Sequence, residues 1–114
     1  SLKDFELNKT LLKVAEKSNE GKPRAINADL LDKGFTVDGT VLINNLEASP
    51  TLAAQMRSNP EETVPQLGRS VCSNAGFRTL MAQGATLRYS FREYKTNSPV
   101  LIQDFRAENC QRKK

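Results

Sequence analysis

No histidine and no tryptophan occur in the 114 residues. The missing histidine removes the commonest general base of enzyme chemistry and the commonest metal ligand. Cysteine is scarce as well, with Cys72 and Cys110 the only two. No C-x-x-C is present, so a zinc shell would need two carboxylates from unspecified places. A catalytic thiol would lack its usual base. No apolar run is long enough to span a bilayer. No glycine-rich phosphate loop follows a strand, and no aromatic-basic motif of an RNA-binding sheet occurs. Neither a cofactor nor a nucleic-acid partner is therefore expected. The opening "SLKDFELNKT" lacks the apolar stretch of a secretory leader. If the protein is exported, the expectation is that its leader has been removed and that Ser1 is a cloning remnant.

What is present suits one modest core. Hydrophobic residues make up 38% and aromatics 6%, which predicts a Leu/Val/Ala-rich interior with a few Phe and Tyr anchors. Such a chain is too apolar and too periodic to be disordered. Its length predicts a single α+β domain over residues 1–114. The net charge is +4, spread without a basic block except in the tail "QRKK". Ordinary solubility accounts for that charge, and a basic surface for anionic glycans, lipid or nucleic acid is the alternative.

Residues 4–18, "DFELNKTLLKVAEKS", place Leu7, Leu11, Val14 and Ser18 at helical spacing, with Phe5, Leu12 and Ala15 widening the stripe. Ser1 or Asp4 can cap the start, and Gly21 and Pro23 provide the stop. The sequon "NKT" at residues 8–10 falls on this helix. "RAINADLLDKG" reads as an extended lead-in. "FTVDGTVLINNL" carries two β-rich runs around Asp38-Gly39, a two-residue turn signal that pairs Val37 with Thr40 and Phe35 with Leu42. Val41 and Ile43 then point to the opposite face.

Ser49-Pro50 and Asn59-Pro60 are cap and first-turn pairs. Glu61 and Glu62 follow the second of them. Adjacent helical residues point about 100° apart, which is wrong for two carboxylates flanking one bond and right for the helix dipole. Pro65 is expected to interrupt any straight helix through 60–72. Ser73 can cap a further short helix with Phe77, Leu80 and Met81 inward, ended by Gly84. "ATLRYSFREY" alternates as a half-buried strand, with Leu87, Tyr89 and Phe91 on one face and Thr86, Arg88, Ser90 and Arg92 on the other. "KTNSP" turns the chain, and "VLIQDFRAE" returns. The order predicts an antiparallel sheet of about four strands in two hairpins, with an N-terminal helix and two or three short helices packed on one side.

The two cysteines allow three readings: a disulfide, two buried thiols or metal ligands. A disulfide would join the start of the last helix to the end of the last strand and imply an oxidising compartment.

The pattern "VCSNAGFRTLMAQGATLRYSFREY…PVLIQDFRAENC" resembles a family of short exported proteins from pseudomonads and their relatives, known as putative quorum-sensing-regulated virulence factors. The matching residues are Cys72, Ser73, Leu80, Gly84, Tyr89, Phe91 and Cys110. "TVDGTVLINNL" also fits, so the resemblance covers residues 23–110. Gly76 and the Asn97-Ser98-Pro99 turn depart from the pattern. The resemblance implies a leader-bearing precursor, export to the periplasm or beyond, and a role in virulence. It implies no molecular activity and no catalytic residues.

No catalytic site emerges, so the expectation is a non-enzymatic binding protein. A small envelope-directed hydrolase or lytic factor is the alternative. The candidate binding residues are Arg88 and Arg92 on the polar strand face, with Lys95 beyond them and Arg106 across the ladder. Either that face is simply solvated, or it docks a partner, an acidic protein or an anionic glycan of envelope or host.

Overall fold

Residues Leu2–Ser18 form helix α1 in the computed structural model, which describes residues 1–111. Ser1 caps it by accepting the Asp4 N–H. Leu7, Leu11 and Ala15 are its buried stripe, the three positions one helical turn apart. Phe5 and Leu12, expected to widen that stripe, are exposed instead. A helix that packs by one narrow seam leaves positions 100° away in water, whatever their polarity.

The chain then forms strands β1 (Arg24–Asn27), β2 (Leu30–Asp38) and β3 (Val41–Ala48). The expected lead-in thus contains a strand of its own, which brings the sheet to five strands, close to the expected four or so. The β2–β3 turn is Gly39-Thr40, because Asp38 pairs with Val41 and Val37 with Leu42. Only Gly39 of the two turn residues has positive φ, at 60°, the pattern of a II′ hairpin. The pairing differs from expectation by two positions, so the faces are unchanged: Phe35, Val37 and Leu42 point inward, and Val41 and Ile43 outward.

Three helices follow: α2 (Pro50–Ser58), α3 (Pro60–Cys72) and α4 (Ala75–Ala82). Ser49 caps α2 through the Leu52 N–H. Helix α3 continues through Pro65, contrary to the expected break. Pro65 cannot donate to the Glu61 carbonyl, but both residues are exposed, so that carbonyl is open to water rather than orphaned in the core. The cap of α4 is Asn74, which accepts the Phe77 N–H. Ser73 instead ends α3.

Strands β4 (Thr86–Glu93) and β5 (Pro99–Phe105) complete a sheet of order β1-β2-β3-β4-β5. The expected antiparallel pairing holds within each hairpin. The two hairpins join through β3 and β4, which run parallel. A long helical crossover makes that direction possible. All four helices contribute to the inner face. Leu7, Leu11, Val71, Leu80 and Met81 meet Leu42, Leu87 and Phe105, while Met56 meets Leu46 and Phe91. Leu87, Tyr89 and Phe91 thus face the helices as their alternation predicts. Tyr89 lies edge-on to Phe105, with ring centroids 6.2 Å apart.

A bulge in β2 at Lys33 and Gly34 locks α1 to the sheet. Asn19, just past α1, accepts the Phe35 N–H at 2.6 Å and donates to the Phe35 carbonyl at 2.9 Å. Gly34 sits at φ 96°, and a Cβ there would strike the Asn19 side chain. Gly34→Ala is therefore expected to cost about 1–3 kcal/mol, read as a lower urea midpoint with an unchanged slope. An unchanged midpoint would mean that the bulge relaxes freely.

Candidate functional site

The sheet's outer face carries the candidate residues. Alternation along β4 sends Thr86, Arg88, Ser90 and Arg92 to the side away from the helices. The parallel register adds Val41, Ile43, Asn45 and Glu47 from β3, and β5 adds Ile102 and Asp104. No acid lies among Thr86, Arg88, Ser90 and Arg92 on their own strand, but the neighbouring strands supply them. Arg88 Nε donates to Asp104 Oδ1 at 2.7 Å and Nη2 to Oδ2 at 3.0 Å, a bidentate pair. Donating to the Asp104 carboxylate raises the Arg88 pKa further above its already high value.

The other candidates are scattered along the strand. Arg92 donates to the Asn97 carbonyl and helps close the β4–β5 turn. Lys95 lies in that turn at φ 73°. Arg106 lies at the opposite end, donating to Thr86 Oγ1 at 2.8 Å. Arg88 and Arg92 therefore share a face, while Lys95 and Arg106 flank its two ends. The face is mixed in charge and partly apolar: Val41 and Ile43 are half-buried and Ile102 is 54% exposed.

A buried ionic cluster escaped sequence reasoning. Asp32 lies on the inner side of β2 and is buried. Lys22 Nζ donates to its Oδ2 at 3.0 Å, and the Gly34 N–H and the Asn44 amide donate to its Oδ1. Burial opposes ionisation, but the Gly34, Lys22 and Asn44 hydrogen bonds together outweigh it and hold the Asp32 carboxyl below its usual range. The signal was present in "LLDKGF", where a charged pair and a glycine interrupt an apolar run. This cluster is fully partnered and ties β1's approach to β2 and β3. Tyr89, by contrast, is pushed up by burial.

Cys72 and Cys110 are joined by a disulfide across a sequence separation of 38. It ties the end of α3 to a 3₁₀ turn at Ala107–Cys110, just after β5. Beside it runs a groove of about 440 Å³ between α3 and the free side of β5, lined by Val64, Gly68, Gln103 and Phe105 among others. A smaller apolar hollow of about 230 Å³ lies near Leu31 and Tyr94. Among the described residues, no three His, Cys, Asp or Glu side chains could together hold a metal ion, and no helix is long and apolar enough to cross a membrane.

The model of a family described as "Putative quorum-sensing-regulated virulence factor" matches residues 1–111. A comparison with curated proteins finds no match. Among solved structures, a putative secreted protein from Pseudomonas aeruginosa is 58% identical, with 97% of this chain and 98% of that one covered and a TM-score of 0.95. The type 2 secretion system pilotin EpsS of Vibrio vulnificus is 15% identical over 97% of each chain, with a TM-score of 0.81. The type II secretion system pilotin AspS of Vibrio cholerae is 17% identical over 95% of each chain, at 0.73. The two pilotins share the fold.

Proposed function

The chain belongs to the family of putative quorum-sensing-regulated virulence factors, and we propose that it is an exported, non-enzymatic protein that works by docking a protein partner. The single observation that carries this reading is the uncovered outer face of the sheet. All four helices pack on the inner face. The outer face offers Val41, Ile43 and Ile102 as apolar contacts and Arg88 and Arg92 as polar anchors. That mixture of apolar area and oriented charge suits a protein surface. It suits an anionic glycan less well, because Asp104 already occupies the Arg88 fork.

Two further observations support the reading. The 58% identical protein is described as a putative secreted protein, which favours export to the periplasm or beyond. The fold is shared with pilotins of type II secretion systems, so components of an export apparatus are candidate partners.

The test begins with capture of the partner from periplasm and culture supernatant. Affinity is then titrated at low and high salt for the parent and for the Arg88→Ser, Arg92→Ser double variant. The expected result is binding weakened by about tenfold or more at low salt, with the fold retained. Equal affinity at both salts would remove the outer face from the interface. Turnover of a captured envelope polymer would overturn the binding reading itself.

A further inference from the structure

The open edge of β5 has a defined hydrogen-bonding pattern. The Glu93 N–H donates toward β5, to the Ser98 carbonyl, whereas the Thr86 and Tyr94 N–H groups donate toward β3. Backbone groups alternate sides along a strand, so Leu87, Tyr89 and Phe91 direct theirs at β5. Their partners Phe105, Gln103 and Leu101 point back at β4. Ile102 and Asp104 must then point their N–H and C=O groups away from the sheet, along its edge.

Two of the edge acceptors are covered by side chains. Arg57 Nη2 donates to the Pro99 carbonyl at 2.9 Å, and Gln103 Nε2 to the Asp104 carbonyl at 3.1 Å. Between them, the Ile102 N–H and C=O and the Asp104 N–H have no partner among the described residues. The opposite edge, β1, is four residues long and carries a bulge, two devices that discourage strand pairing. On β5, Val100 and Leu101 are half-buried and Ile102 is exposed, and the edge lacks such protection past the bulge near Pro99.

The groove beside β5 extends this edge into a pocket. Val64, Pro65 and Gly68 of α3 form one wall, and Gln103 and Phe105 form the other, with the disulfide alongside. Gly68 lets the Phe105 ring lie where a side chain would crowd it. Arg69 also lines the groove, its guanidinium makes no ion pair among the described residues, and no acid lines the groove with it.

We propose that this edge and groove bind an extended segment of a partner protein that adds as a sixth strand to β5. The segment places alternate apolar side chains in the groove and an acidic side chain against Arg69. Backbone pairing supplies the general affinity and the groove selects the sequence. The site lies on a different surface from the outer sheet face and does not depend on that face being an interface.

The probe is a set of end-blocked octapeptides with valine or isoleucine at alternate positions and glutamate or threonine between them. Amide exchange is read residue by residue on the full chain. In the free protein, the Ile102 and Asp104 amides are expected to exchange quickly, and those of Leu101, Gln103 and Phe105 slowly. A bound peptide should slow Ile102 and Asp104 by about tenfold or more, the signature of a new strand hydrogen bond, and leave β1 unchanged. N-methylation of the peptide should abolish the effect without altering the protein. Ile102→Pro removes the outward N–H while leaving the β4 pairing intact, and should also abolish it. Arg69→Glu should weaken the glutamate peptides by about tenfold and spare the threonine ones.

Absence of protection at Ile102 and Asp104 with every peptide would overturn the proposal. So would binding that survives both N-methylation and Ile102→Pro. If the Ile102 amide is already protected in a dimer that Ile102→Pro dissociates, the edge takes a second copy of the chain and the proposal also falls.

Discussion

Replacing both Cys72 and Cys110 with serine is expected to lower the unfolding free energy by about 4 kcal/mol, the chain-entropy value for a loop of this span. The bridge closes a sequence separation of 38, and that loop holds α4, β4 and β5. Without it, the 3₁₀ turn that follows β5 loses its covalent link to α3, and Phe105 loses the tether next to its groove. A small domain has about 5–15 kcal/mol to lose, so the variant should unfold at much lower denaturant. The parent in reductant should shift by a similar amount. Intact mass with and without reductant reports the bridge independently. Equal denaturation midpoints would mean that the reduced chain is already held by its noncovalent contacts.

The second large effect is expected at Asp32. Asp32→Asn keeps the side chain's shape but leaves the Lys22 ammonium, 13% exposed, without its counter-charge. Breaking one side of a buried pair costs about 3–5 kcal/mol. The pH dependence has a definite sign. The folded Asp32 carboxyl titrates below its usual value, so the unfolded chain binds its proton first as pH falls. The stabilisation is therefore complete above the ordinary carboxylate value, about 3.9, and is lost as pH drops through the folded value below it. Denaturation of parent and variant followed from neutral pH downward should converge in that acid window. A constant gap between the two curves would show that the carboxylate's charge is not the source of the stability.

The elements with a local cause were legible. Leu7, Leu11 and Ala15 repeat at helical spacing, Leu87, Tyr89 and Phe91 alternate, and each helix start has its Ser, Asn or Pro. The elements set by partners were not. Arg24–Asn27 is exposed at every position, so β1 has no apolar alternation to detect, and only its pairing with β2 makes it a strand. Phe5 and Leu12 look like core residues until the seam of α1 is known. Pro65 looks like a helix stop until its face is known to be open to water.

The candidate site divides along the same line. The common face of Arg88 and Arg92 follows from a spacing of four, two full strand periods. The Asp104 carboxylate in the Arg88 fork follows from the β4–β5 register, with a bulge near Pro99 that no local pattern announces. Likewise the contacts of Asp32 gather Lys22, Gly34 and Asn44, residues whose proximity depends on the bulged β2–β3 pairing.

The parallel seam between β3 and β4 also orders events during folding. Each hairpin closes over a short loop, and α1 can dock on β2 early. The seam forms only when β3, ending at Ala48, meets β4, beginning at Thr86, after the intervening helices have been gathered over the same side. Contacts of such sequence separation slow folding because loop-closure entropy is lost before they form. Until then the inner faces of the hairpins are incompletely covered, Leu42 and Leu46 on one and Leu87 and Phe91 on the other. The chain therefore passes its greatest exposure to wrong partners with its secondary structure largely made and its central seam still open.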